Sequence, residues 1–344
     1  MTPAAHTGAV VCFGEVMLRL TAPAGELLLQ TPRLVVSVGG AEANVAVSLA
    51  RLGDAARMVT VLPEGPLGDA ALGELRRWGV DTAGVVRGPG RMGLYFLTPG
   101  AVLRPSEVTY DRAHSAFAEA DPAGIDWDPA LAGAGWLHVS GVTPAIGANS
   151  AAAALRAVAA ANRLGVPVSF DGNYRAKLWA AWGGDGPAIL GELVAGAELA
   201  FLNEQDIGLI LGARFEQADP AARRVAAMAL AFERFPRLTR IAATTRVQHE
   251  VGRQDLAATL FTRDGGRLET RGYALSGIVD RIGAGDAFAA GLLHALNRDM
   301  DEQRALDFAL AATVAKHGVY GDFNLATVAD VEAILAGEGL DVRR

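Results

Sequence analysis

The 344-residue chain is poor in cysteine, aromatics and charge: it has one cysteine, 6% aromatic residues and 20% charged residues. A lone cysteine, Cys12, cannot close an intramolecular disulfide, and no Cys/His cluster has zinc spacing. Cys12 lies in the apolar run Val10-Val11-Cys12-Phe13, which predicts a packed thiol rather than a reactive one. Lys and Arg total 31 against 38 Asp and Glu, a net charge of −7 with no basic tract, which argues against nucleic acid or an acidic membrane as partner. No window approaches the ~20 uninterrupted apolar residues of a membrane helix. The N-terminus lacks a basic region leading into an apolar stretch, so no signal peptide and a cytoplasmic location are expected. The glycines have no three-residue period, which excludes collagen. What is plentiful is apolar: 51% of residues are hydrophobic, which excludes a disordered chain. A chain of this length buries about three quarters of its unfolded surface, ample for one large α/β domain over 1–344.

Short apolar runs alternate with longer helical patterns. Runs at 10–13, 58–62, 137–139, 166–170, 199–202 and 241–244 read as buried strands. Helical patterns cover 41–52, 69–78, 148–164, 187–195, 220–235, 284–297, 301–317 and 328–335. Buried strands with helical crossovers predict a mostly parallel sheet covered by helices on both faces. In the first helix Val45, Leu49 and Leu52 share one stripe, with Glu42 and Arg51 off it.

Two stretches break the rhythm. Val16, Leu18 and Leu20 alternate with Met17 and Arg19, and 34–38 continues as strand. Gly93-Leu94-Tyr95-Phe96-Leu97 and Val108-Thr109-Tyr110 are strand signals with no helix between them. Inserted at about 15–38 and 93–112, they predict a small antiparallel sheet acting as a lid, since long insertions of this kind are more often functional. The alternative is extra edge strands on the main sheet.

In an open parallel sheet, ligands bind beyond the carboxyl ends of the strands. There the sequence delivers Asp171-Gly172-Asn173-Tyr174-Arg175, Asn203-Glu204-Gln205-Asp206 and Thr244-Thr245-Arg246. Each alone could be a cap or a surface loop; three together favour a site. The sharpest motif is Asp280-Arg281-Ile282-Gly283-Ala284-Gly285-Asp286, opening a helix. Small residues there leave first-turn N–H groups open to an anion. Asp286 makes sense beside them if it takes a proton from a hydroxyl while those groups hold transferred negative charge. A plain helix start with an acidic first turn would explain Asp286 but not three successive small residues. Gly39-Gly40-Ala41-Glu42-Ala43-Asn44 is a tight turn or a place of close backbone approach to a ligand. Gly88-Pro89-Gly90-Arg91-Met92-Gly93 matches the dinucleotide pattern but leads into a strand, so that motif's mechanism is absent, as is a P-loop.

These residues resemble the ribokinase-like (PfkB) carbohydrate kinases over about 10 to 335. The Gly283-Ala284-Gly285-Asp286 signature and its counterpart Gly39-Gly40 carry the likeness. The 2-keto-3-deoxygluconate kinases are the most similar branch, through Gly14-Glu15, Asn44, Gly93-Leu94-Tyr95, Tyr110-Asp111-Arg112, Ser140-Gly141 and 171–179. The resemblance implies that Asp286 activates the sugar's terminal hydroxyl and that Gly283, Ala284 and Gly285 form the anion hole. It implies that Gly39, Gly40, Asn44, Tyr95, Tyr110, Arg112, Asp171, Asn173 and Arg175 hold the sugar acid. An Arg fork suits a carboxylate; the alternative for Arg112 and Arg175 is surface ion pairing. ATP would lie along Asn203, Thr245, Arg246, Gly283 and Gly285. Mg²⁺ would travel with it, reached by Glu204 and Asp206 through water, and a monovalent cation is left open. Dimers or higher oligomers through the lid are implied too. The chain departs from the family where Asp206 ends the NxxE motif, where 244–249 lacks a glycine, and where Arg281 replaces a Thr. Arg246 or Arg281 could then contact phosphate. Competing functions are a kinase for a fructose-like sugar or a nucleoside, and a silent sugar-binding protein, against which the intact Asp286 argues.

Overall fold

The computed structural model describes residues 8–337. Among them run β1 (Ala9–Phe13), β2 (Met17–Thr21), β3 (Val35–Gly39), β4 (Ala56–Pro63), β5 (Asp81–Gly88), β6 (Gly93–Thr98) and β7 (Glu107–Asp111). There follow β8 (Ala134–Ser140), β9 (Val168–Asp171), β10 (Leu199–Phe201), β11 (Arg240–Glu250), β12 (Arg253–Thr262), β13 (Arg267–Glu269) and β14 (Tyr273–Ser276). The large sheet has the order β13-β12-β11-β10-β9-β8-β1-β4-β5, with β14 beside β12. Every neighbouring pair from β11 to β5 is parallel, as apolar runs joined by helical crossovers require. Successive residues of β1 point to opposite faces. Val11 and Phe13 join one apolar cluster with Leu137 and Phe170; Val10 and Cys12 join the other with Met58 and Leu199. Helices thus cover both faces, and the architecture is the ribokinase-like α/β fold. The Cys12 thiol is fully buried. Among the described residues no helix is long and apolar enough to cross a membrane.

The helices Ala148–Leu164 and Ala284–Asn297 begin and end where the periodicity puts them. Four strands carry no such signal. β5 is half exposed throughout. β11 runs past Thr244 as an exposed polar arm and returns as β12, outlasting its apolar run. The buried residues of β12 include Gln254 and Thr259 between its apolar ones, which blurs the alternation, and β13 and β14 extend that hairpin. Glu42 also departs from expectation: its helix, Ala41–Arg51, is buried on all sides over 42–49, so no stripe rule applies.

The inserted strands form a separate sheet of order β3-β2-β6-β7 rather than edges of the main one. Its central β2–β6 pair is parallel, not antiparallel as expected. The chain leaves through β3 for the main sheet and returns to β6 in the same sense; β2–β3 and β6–β7 are antiparallel. The register sets Met17, Arg19, Tyr95 and Tyr110 on one face and Leu18, Leu20, Val36, Val38, Leu94 and Phe96 on the other.

Candidate active site

A cavity of about 650 Å³ opens between the carboxyl ends of the main sheet and the first face of the small sheet. Asp286 stands in the first turn of the helix Ala284–Asn297 at its floor. The helix begins at Gly283, whose φ of 83° is left-handed and whose Cβ would overlap the carbonyl of Asp322, so glycine is required there twice over. Ala284 N–H donates to the Arg281 carbonyl (3.2 Å), while the following first-turn amides have no intrahelical acceptor and face the cavity. Asn44 Nδ2 donates to Asp286 Oδ2 (2.6 Å), fixing the carboxyl. Asn44 Oδ1 is buried without a partner. Gly40, at φ 149°, lets this turn approach: a Cβ would run into the Glu15 carbonyl. Gly39 does not line the cavity; it packs where a Cβ would meet the Asp322 carboxylate.

The small sheet and its flanks supply Met17, Tyr95, Tyr110 and Arg112 to the cavity, and the loop after β9 supplies Asp171, Asn173 and Arg175. Arg112 is buried, and its Nε donates to Glu15 Oε2 (2.6 Å) while its guanidinium lies over the Tyr110 ring. Surface ion pairing is thereby ruled out for Arg112. Arg175 is exposed, and its Nη1 donates to the Tyr174 carbonyl (3.2 Å). Tyr95 donates its hydroxyl to Asp322 Oδ2 (2.6 Å), so it presents its ring rather than its oxygen.

A second cavity of about 560 Å³ adjoins the first and is lined by Asn203, Glu204, Thr245, Arg246, Arg281 and His317 among others. Asn203 and Asp206 form a reciprocal capping box on the helix Glu204–Leu211. Asp206 in the last place is therefore a working cap, with Oδ2 accepting from Asn203 N–H (3.0 Å). Glu204 lies 3.7 Å from Arg224.

Residues 8–322 match the model of the pfkB family carbohydrate kinases. The chain belongs to that family. A 2-dehydro-3-deoxygalactonokinase of Haloferax volcanii is 31% identical, covering 98% of this chain and all of its own. A 2-dehydro-3-deoxygluconokinase of Thermoproteus tenax is 27% identical over 93% of this chain and 91% of its own. The crystal structure of the 2-dehydro-3-deoxygluconokinase of Thermotoga maritima superposes with a TM-score of 0.90 at 38% identity, covering 96% of this chain and all of its own.

The kinase's cavity is crowded with buried acids. Burial pushes Asp286 up to about 8, aided by the carboxylates of Asp171, Glu42 and Asp322 and opposed by the Asn44 hydrogen bond. Burial likewise pushes Asp171 up to about 7, with the Asp206 charge adding to it and Arg175 opposing. Asp206 is raised mainly by burial. Glu42 is raised by burial too; its Oε1 accepts from Ser140 N–H, Ser140 Oγ–H and Thr143 Oγ1–H, and its Oε2 has no partner.

Sequence reasoning missed the support beneath the signature loop. Arg19, 1% exposed, donates from Nη2 to Asp280 Oδ2 (2.6 Å) and from Nη1 to Asp322 Oδ1 (2.9 Å), tying the small sheet to both. Lys316 is wholly buried and donates to the carbonyls of Asp280 (3.3 Å) and Val319 (3.0 Å). An arginine in an alternating strand reads as outward-facing, and a lysine in a last helical turn reads as a dipole partner. The available signal was Asp280, an acid at the head of the motif that needed a buried cation; Asp322 lies far along the chain.

Proposed function

We propose that the chain is an ATP-dependent kinase phosphorylating the terminal hydroxyl of 2-keto-3-deoxygluconate. The observation carrying this reading is a raised carboxyl, Asp286, at an open helix N-terminus, facing a cavity walled by Arg112 and Arg175. Asp286 takes the hydroxyl proton, and the open amides of Gly285 and Asp286, with the Gly283-Ala284 backbone shaping the hole, receive the charge developing on the transferred group. Arg112, Arg175, Tyr110, Asn173 and Asn44 orient the sugar acid. A carboxylate anchored by arginines separates this substrate class from neutral sugars. The names of the relatives support the class, and the Haloferax protein's name puts the galactonate epimer beside it as the second reading.

ATP fits the second cavity, where Asn203, Thr245 and Arg246 face its phosphates. Mg²⁺ would sit beside it, where Asp171 and Asp206 line the first cavity next to the Asn203 and Arg281 wall that the two cavities share. When bound, Mg²⁺ supplies charge neutralisation along the phosphates. Among the described residues no three His, Cys, Asp or Glu converge as a direct metal site, so contact through water is the arrangement these acids favour. The outer lid face of Leu20, Val36, Val38, Leu94 and Phe96 suits a second copy of the chain.

The test is a panel of 2-keto-3-deoxygluconate, its galactonate epimer, fructose, ribose and adenosine with ATP, read by coupled ADP release. One of the two sugar acids should exceed the neutral substrates by at least about 10²-fold in kcat/KM, the discrimination a buried ionic contact provides. Preference for fructose, ribose or adenosine overturns the substrate assignment.

A further inference from the structure

The two cavities share part of one wall, and Arg281 stands in it, lining both. Its guanidinium makes no hydrogen bond or ion pair within 4 Å with another described residue, and its Nη1 is buried without a partner. The nearby acids spend their hydrogen bonds elsewhere, and only the charge of Asp280 acts on it. Asp280, next in sequence, gives Oδ2 to Arg19 and the Gly321 amide and Oδ1 to the Ile282 amide. Asp206 caps its helix, and Glu204 faces Arg224. Arg246 lines the second cavity too, also without a hydrogen bond or ion pair to another described residue; burial first and then the Arg246 charge lower the pKa of Arg281, with the Asp280 charge opposing. The free protein thus holds a partly desolvated cation against a like charge, an arrangement that costs stability until an anion arrives.

We propose that Arg281 is a catalytic residue, its planar fork holding the γ-phosphoryl oxygens while that group crosses from the nucleotide cavity to the sugar. The inference rests on the kinase reading above and adds a residue to it. In the step, the sugar hydroxyl oxygen bonds to the γ-phosphorus and the bond from that phosphorus to the β–γ bridging oxygen breaks. The electron pair of the broken bond stays on ADP, the hydroxyl proton goes to Asp286, and Arg281 keeps its own protons. Its contribution is positive charge held where the equatorial oxygens pass, in a place already half removed from water. Arg246, exposed and farther along the second cavity, meets the incoming polyanion earlier and serves binding rather than transfer.

The experiment compares wild type with Arg281→Ala, Arg281→Lys and Arg246→Ala, using whichever sugar the wild type phosphorylates. That choice separates the two failures: a neutral-sugar preference sinks the sugar-acid assignment and leaves this inference to be tested. Three quantities are measured: kcat, the Kd of ATP, and the Kd of ADP with aluminium fluoride, Mg²⁺ and sugar as a transition-state mimic. Arg281→Ala should lower kcat about 10²–10³-fold, the scale of losing one oxyanion donor. Its ATP affinity should change less than tenfold, and its affinity for the mimic should fall with kcat. Guanidinium ion at millimolar concentration should restore part of the lost rate, a rescue that a merely structural arginine would not show. Arg281→Lys should remain impaired, because an ammonium lacks the fork. A kcat within about threefold of wild type in Arg281→Ala overturns the inference. So does an equal loss of ATP and mimic affinity, or an absence of rescue.

Discussion

The two cavities that meet at Arg281 are built on different electrostatic plans. On the sugar side several polar side chains are paired before any ligand arrives: Asn44 holds Asp286, Glu15 holds Arg112, and Asp322 holds Tyr95, while Arg175 stays exposed. On the nucleotide side Arg281 and Arg246 line one cavity without a hydrogen bond or ion pair to another described residue. The first plan fixes geometry and leaves Arg175 as its exposed cation; the second stores charge and leaves geometry to the ligand. The difference suits the two substrates. A sugar acid carries one charge and many hydroxyls, so its recognition needs oriented groups. A nucleotide polyphosphate carries its own charge, so its recognition needs unneutralised cations.

The largest effect should come from Asp286→Asn, which keeps shape and removes the proton acceptor. We expect kcat to fall by about 10²–10⁴-fold with ATP affinity largely kept, measured by coupled turnover and equilibrium binding. Near-normal turnover would place the base elsewhere. Next comes Arg175→Ala. If its free guanidinium takes the sugar carboxylate, KM for the acid should rise about tenfold to hundredfold, as a charge-assisted hydrogen bond is worth about 1.5–3 kcal/mol. An unchanged KM would hand the carboxylate to Arg112 alone. Arg246→Ala should act on the other side only, raising KM for ATP about three- to tenfold, more at low salt than at high. It should also slightly stabilise the free protein by relieving Arg281. A change in KM for the sugar instead would break the division between the cavities.

Some of this division was legible in the sequence. The signature 283–286, the turn 39–44 and the strand ends at 171, 203 and 244 all reach one place because a parallel sheet sends its carboxyl ends to one edge. The pairing within the site was not legible. Arg112 and Arg175 look alike in sequence, yet one is buried on Glu15 and the other is exposed, because 97 positions separate Arg112 from its partner. Arg19, Asp280, Lys316 and Asp322 converge from remote parts of the chain. No local pattern encodes such a meeting. The distal half of β11 was hidden for another reason: past Ala243 it is polar and mostly exposed, held by pairing with β12, and only apolar periodicity can be read.

The lid gives a smaller test. Residues 95–110 should exchange amide hydrogens more slowly with saturating sugar acid, since closure would exclude water from the transferring group. Unchanged exchange would make the small sheet a fixed wall. The smallest effect is on stability. Asp286 binds its proton up to about 8 in the folded protein but only to about 4 when unfolded. The folded state therefore holds the extra proton between those values, and stability falls as pH rises through that window. Asp286→Asn lacks this penalty, so its stability relative to wild type, read by denaturant unfolding, should grow from pH 4 to pH 8.

The central claim is that burial among other acids lifts Asp286 into the working range of a base, and the pH dependence of kcat/KM for the sugar tests it most directly. The account predicts a rising limb with an apparent pKa near the value of about 8 that burial imposes on Asp286, persisting in Asp171→Asn. A rate that is flat from pH 6 to pH 9, or a limb that vanishes with Asp171 alone, would contradict it.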